Sequence, residues 1–373
     1  MKITHVEAII LKQETIELIG DGSQDTVLIR VETDEGITGI GEVDSNPYVV
    51  RQIIESPASH MACRGLREIL IGENPLEVEK LWLKMYQQSL YYGRRSVGIH
   101  AMSGIDIALW DICGQYYGVS VATLLGGRYR EKIPAYCSVL MPPDRDGIAA
   151  LIDRHMPKGY TGLKFGWGAL GQDSRTDIAL ATAARELLGP SADLMLDIGM
   201  LWTDVKAAEQ TCAVFADLDV FWVEEPFSPD RQASMAELRS RIKIRLAAGE
   251  ELGGMPEFRD LVGQRCVDVL QPDLSRCGGL TVARKLIDLA QPDGLMIVPH
   301  AFKTGILTAA SLQFIAALPE ARFLEHCEQD TPLRQELTDT IFRVDSDGLV
   351  TIPDRPGLGI KVNPDVVAHY RIK

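Results

Sequence analysis

The chain has 373 residues, and single hydrophobic cores stop growing near ~250–300 residues, so more than one folding unit is expected. Hydrophobic residues make up 46% and charged residues 24%, which excludes a mostly disordered chain. Acidic residues outnumber basic ones 52 to 38, and a net charge of −14 argues against nucleic acid or an anionic membrane as the partner.

The N-terminal run MKITHVEAIILKQETIEL has only a short apolar stretch, broken by Glu7, and does not read as a signal peptide. No run of ~18 apolar residues occurs, so no membrane span is expected. Seven cysteines are widely spaced with no CxxC, which suits a reducing cytosol better than a disulfide framework or a zinc ribbon. The expected location is cytoplasmic.

Residues 1–43 predict a β meander. Val6–Leu11, Thr26–Thr33 and Thr38–Val43 are strand-like, and Asp34-Glu35-Gly36 supplies a hairpin turn between the last two. Gly20–Asp25 is a polar, glycine-rich loop. Residues 76–118 are helical in pattern. Ile99, Met102, Ile105, Leu109 and Ile112 mark one buried face of a helix over Val97–Tyr116. Gly39-Ile40-Gly41-Glu42 is half a dinucleotide fingerprint, but it leads into no βαβ unit and reads as strand and turn. Tyr91, Tyr92, Arg94 and Arg95 form an aromatic-basic patch that suits a surface.

After Gly126–Gly127 the texture changes. Eight short apolar runs alternate with amphipathic, alanine-rich segments: Ile133–Val139, Thr161–Lys164, Asp193–Asp197, Asp219–Glu224, Ile244–Glu250, Val267–Gln271, Gly294–Pro299 and Ala321–Glu325. Strands alternating with helices imply βαβ units, and eight of them suggest a closed (β/α)8 barrel of the TIM type. Phe342–Ile352 reads as a hairpin that packs back on the N-terminal meander, making an α+β cap beside the barrel. The expected division is a cap of residues 1–126, a barrel of 127–340 and a segment 341–373 returning to the cap.

The later apolar runs end in ionisable residues. Asp197, Glu224, Glu250, Asp273, His300 and Glu325 follow one another at intervals of 23 to 27 residues, about one βα unit each. In a parallel barrel such positions converge on one mouth. Five carboxylates there would repel one another unless a cation intervened. Asp197, Glu224 and Glu250 offer three hard oxygen donors on consecutive strands, which suits Mg2+ and, without Cys or His, argues against zinc. Asp273 beside His300 would fix the imidazole tautomer and raise its basicity, making the pair a general base. Lys164, ending the second barrel strand, would bind a substrate anion, or act as a base if its pKa were lowered. His326 adjoins the acid series but points to the other face by strand alternation.

With these residues in place, the chain resembles the enolase superfamily, mandelate racemase subgroup. The carrying motifs are SGIDIALWDICGQYYG, LLGG, VEEP, AAGEE, LQPDLSRCGGL, IVPH, FLEH and PDRPGLGI, in order across nearly the whole chain. The resemblance implies a modified (β/α)7β barrel with an α+β capping domain. It implies Mg2+ held by Asp197, Glu224 and Glu250, a His300–Asp273 dyad, and Glu325 as the eighth-strand acid that contacts substrate or enolate. It also implies a homo-oligomer. Two positions depart from the family pattern. Lys-x-Lys on the second strand is Lys164-Phe165-Gly166 here, and Asp-x-Asn on the third is Asp197-Ile198-Gly199.

The family chemistry abstracts a proton α to a carboxylate, giving an enediolate. With the second lysine replaced by Gly166, two-base racemisation is disfavoured. The expected activity is that of a lyase: an Mg2+-dependent hydro-lyase of a sugar acid, aldonate or aldarate, that expels the β-hydroxyl and yields a 2-keto-3-deoxy acid. The alternatives are an isomerase, as epimerase or lactone cycloisomerase, and a non-catalytic sugar-acid binder. Specificity is expected from Gly20–Asp25, Asn46–Val50 and the barrel loops, with Trp167, Trp202, Arg276 and Lys303 as candidates.

Overall fold

The structure is a computed structural model that describes residues 1–372. The chain opens with an antiparallel sheet of β1 (Ile3–Lys12), β2 (Asp25–Thr33) and β3 (Thr38–Val43), in that spatial order. Helices α1 (Pro47–Glu55), α2 (Leu66–Leu70), α3 (Val78–Gln88), α4 (Val97–Tyr117) and α5 (Val121–Leu124) follow. The long helix α4 lies on β3, and the glycines of β3 allow it to come close. A methyl group at Gly41 would stand 1.9 Å from the Gly104 carbonyl oxygen, so the half-fingerprint is a strand–helix contact and not a nucleotide loop.

Eight parallel strands then alternate with seven helices. The strands are β4 (Lys132–Leu140), β5 (Gly162–Gly166), β6 (Asp193–Asp197), β7 (Val220–Glu224), β8 (Arg245–Ala248), β9 (Val269–Leu270), β10 (Met296–Ile297) and β11 (Leu324–Cys327). The helices between them are α6 (Arg145–His155), α7 (Ser174–Leu188), α8 (Val205–Asp217), α9 (Gln232–Arg241), α10 (Met255–Gly263), α11 (Gly279–Ala290) and α12 (Gly305–Ala317). Each of the eight apolar runs of the sequence became one of these strands. The ladder runs from β10 down through β4 and on to β11, so the ring closes between its eighth and first strands. Eight strands with seven intervening helices make the (β/α)7β barrel.

Seven residues, five in strands and two directly beside β10 and β11, fill the lower barrel interior: Tyr136, Met195, Trp222, Ala247, Val269, Val298 and Phe323. Tyr136, Trp222 and Phe323 meet edge to face, at ring separations of 5.5 to 6.2 Å.

The C-terminal hairpin differs from expectation in its partner. Its second strand, β12 (Leu349–Thr351), follows the short helix α13 (Pro332–Glu336) and pairs antiparallel with β4 of the barrel instead of with the meander. The exposed N-terminal half of β4 is a free edge, and β12 covers it. The tail beyond does reach the cap. Asp111 on α4 accepts N–H bonds from both Ile40 and Leu358, and after α14 (Pro364–Tyr370) Ile372 donates to Ile10. Among the described residues no helix is long and apolar enough to cross a membrane, and all seven cysteines are free thiols.

Candidate active site

The C-terminal ends of the barrel strands carry the ionisable residues, as strand polarity requires. Asp197 ends β6, Glu224 ends β7 and Glu250 lies two residues past β8. All three are buried, and one carboxylate oxygen from each lies within 4.8 Å of the others. Burial, then mutual repulsion, pushes the Asp197 carboxyl well above the ordinary carboxylate range. Burial also raises Glu224.

Each carboxylate is aimed by its neighbours. The Gly199 N–H donates to Asp197 at 2.9 Å, while the Trp222 indole N–H and the Gln271 amide both donate to Glu224 Oε2, at 2.9 and 2.8 Å. Glu250 Oε2 is buried with no hydrogen-bond partner. An orphaned buried oxygen beside two more carboxylates is what a bound cation would satisfy. The donor set is all oxygen, which fits Mg2+ or another hard divalent ion.

His300 follows β10. Its Nδ1 is 2.7 Å from Asp273 Oδ2, and its Nε2 faces Glu250 Oε2 at 3.4 Å. Asp273 is itself fixed, since the Ser275 N–H and hydroxyl both donate to its other oxygen. Burial alone would lower the imidazole pKa, but Glu250, Glu325 and Asp273 overcome it and hold the group at about 10. His326 points out of the barrel, to Tyr160, Glu328 and the Phe342 carbonyl.

Lys164 extends from β5 into the mouth and is clasped by Glu224 and by Glu325, the latter at 2.7 Å. Burial would lower its pKa, yet the two glutamates outweigh it and raise it well above the ordinary lysine value. It is a fixed cation here, not the depressed amine that base catalysis asks for. Glu325 also accepts the Ala301 N–H at 2.8 Å. Against the effect of burial, Lys164 and His300 hold its carboxyl at about 2. The six in-phase residues of the sequence and Lys164 therefore meet in one place.

Gly166, two residues on from Lys164, lines the same cavity. A Cβ there would lie 2.8 Å from Asp197 Oδ2, so no larger side chain fits without moving that carboxylate.

The structure adds residues that the sequence reasoning missed. Asp44, just past β3 of the cap, lines the cavity and joins Arg276 to Lys303, whose amine lies 2.8 Å away. These cations hold Asp44 well below the usual carboxylate range although it is buried. The available signal was an acid closing an apolar strand, VDSN, as in the barrel. Its partner lies 232 positions away, which left nothing local to confirm it. Of the specificity candidates, Trp167, Arg276 and the loop glycines Gly20 and Gly22 line the cavity. Lys303 sits behind Asp44. Trp202 bonds to Asp177 away from the mouth, and Asn46 caps α1. Tyr91 is largely exposed and Arg95 pairs with Glu257, so the aromatic-basic patch lies at the surface.

Comparison with known proteins places the chain in a family. Residues 9–126 match the mandelate racemase / muconate lactonizing enzyme N-terminal domain, and residues 147–366 match the enolase C-terminal domain-like family. The chain is 33% identical over 360 residues to D-galactarolactone cycloisomerase of Agrobacterium fabrum, covering 93% of this chain and 91% of the relative. It is 28% identical over 361 residues to arabinonate dehydratase of Saccharolobus solfataricus, covering 96% and 94%. The crystal structure of the 3,6-anhydro-D-galactonate cycloisomerase from Zobellia galactanivorans superposes over the full length of both chains. Its TM-score is 0.90 at 28% identity.

Proposed function

Since this chain belongs to the mandelate racemase subgroup of the enolase superfamily, we propose that it catalyses β-elimination from a sugar acid, as an Mg2+-dependent dehydratase. The observation that carries the reading is the His300–Asp273 dyad facing the three-carboxylate cluster, with Gly166 standing where a second base would be.

Asp197, Glu224 and Glu250 would hold the metal, which when bound supplies positive charge to a substrate carboxylate. Asp273 accepts the Nδ1–H of His300. With the Glu250 carboxylate that faces Nε2 given over to a metal, the imidazole loses the largest charge holding a proton on it, and Nε2 is left as the basic atom at the cavity. His300 then removes the α-proton. Charge grows on the substrate carboxylate, and Lys164 faces the site as a cation that needs no reorganisation. The imidazolium returns its proton to the departing β-oxygen, and water leaves. Tautomerisation gives a 2-keto-3-deoxy acid. Glu325, ionised and fixed by Lys164 and Ala301, is placed to accept a substrate hydroxyl bond.

A second reading differs only in the leaving group. If the β-oxygen belongs to a ring, the same two proton transfers open the ring and no mass is lost. Kinship with two cycloisomerases favours it.

The test is to incubate the protein and Mg2+ with sugar acids and their lactones and analyse products by NMR and mass. Loss of one water with a 2-keto-3-deoxy product is expected. Ring opening at constant mass selects the second reading. Inversion at the α-carbon contradicts both.

A further inference from the structure

The cations around the cavity are already taken. Arg276 serves Asp44, Glu250 and Glu251. Lys164 serves Glu224 and Glu325, and Lys303 serves Asp44 and Asp25. With Glu224 and Glu250 given over to a metal, each of these three cations still keeps at least one carboxylate beside it: Glu325 for Lys164, Asp44 and Glu251 for Arg276, and Asp44 and Asp25 for Lys303. A metal on the triad would hold one carboxylate of a substrate. A second carboxylate would enter a cavity lined by Asp44 and Glu325 with no uncommitted cation to meet it.

The rest of the lining is uncharged. It includes Gly20 and Gly22 of the cap loop, Ser138, Phe302 and the indole of Trp167. Trp167 is held in an unusual way. Its backbone is left-handed, at φ 53°, which is costly for a bulky residue. Two glycines pack against it. A methyl group at Gly199 would stand 3.1 Å from Cδ2 of the indole, and one at Gly20 would stand 3.1 Å from Trp167 Cβ. Both departures from the family pattern thus bear on this corner. Gly166 leaves the Asp197 side clear, and Gly199 leaves room for the ring. The indole N–H finds no acceptor among the described residues, although that of Trp202 bonds to Asp177 and that of Trp222 to Glu224. A half-buried aromatic face with a free donor suits the C–H face and hydroxyls of a polyol.

We infer that this part of the cavity takes an uncharged polyol end laid on Trp167, so the substrate is a sugar acid with one free carboxylate, an aldonate rather than an aldarate. The inference rests on the sugar-acid reading above and narrows it.

The experiment pairs aldonates with their diacids: D-arabinonate, D-xylonate and D-galactonate against arabinarate, xylarate and galactarate. Turnover and calorimetric binding are measured on the Mg2+-loaded protein. The aldonates are expected to exceed their diacids by at least about a hundredfold in kcat/KM or affinity. Trp167→Ala is expected to raise KM or Kd for the best aldonate about tenfold, with a smaller change in kcat. Trp167→Phe should recover most of that loss, which separates a stacking role from a folding defect. Equal or better use of diacids, binding of neither class, or a KM unchanged in Trp167→Ala overturns the inference. Aldonates that bind as expected yet give no elimination product would leave it standing and refute the dehydratase reading instead.

Discussion

The two ends of the barrel are made from the same strands, two residues apart. Met195 and Asp197 share the inner face of β6, Trp222 and Glu224 that of β7, and Val298 and His300 follow the same step beyond β10. Phe323 and Glu325 do so at β11. One repeat of the pleat, about 6.6 Å, carries the interior from close aromatic packing to buried charge. The lower end is closely packed and carries no charge, although the buried Tyr136 hydroxyl has no hydrogen-bond partner, and outside it Arg245 and Arg322 lie over the Phe221 ring at 4.3 and 4.2 Å. At the upper end carboxylates are buried together, and Glu250 Oε2 has no hydrogen-bond partner. The apolar end offsets the cost of the charged one, and β5 departs from the pattern by placing Lys164 at the level of Met195.

This contrast is broken most severely at the dyad. His300→Asn should lower kcat/KM on the best sugar acid by about 10²–10⁴-fold while denaturant melts stay near wild type. A loss under about tenfold would remove His300 as the base. Trp222→Ala should act chiefly on stability, costing about 3–5 kcal/mol in a urea melt because a fully buried ring leaves a cavity. Trp222→Phe keeps most of the ring and removes only the N–H that aims Glu224. Mg2+ affinity by titration calorimetry should fall about tenfold, with a stability loss near ~1 kcal/mol. If affinity does not move, the two ends are independent.

Much of the mouth was legible because a charge closing an apolar run is conspicuous, and six such closures kept one spacing. The apolar end was not. Strands buried on both faces are hydrophobic throughout, so Met195 and Leu194 look alike until the acid two residues on fixes which face is inward. Lys164 was expected to end its strand, but β5 runs on to Gly166 and the lysine reaches the mouth from mid-strand. Its charge state was not legible, since Glu224 and Glu325 come 60 and 161 residues later. The same holds for Asp44, whose partners belong to the barrel. The hairpin at 342–352 showed its turn and not its partner, because the open edge of β4 exists only after the barrel forms.

The most direct test is of thermal stability with and without Mg2+. If the mouth is strained by unpaired carboxylates awaiting a cation, Mg2+ at a hundredfold excess over Kd should add about 2.7 kcal/mol to the chelated protein. Asp197→Asn, with one like charge fewer, should melt above the chelated wild type and respond little to Mg2+. A wild type indifferent to Mg2+, with Asp197→Asn the less stable of the two, would contradict the account.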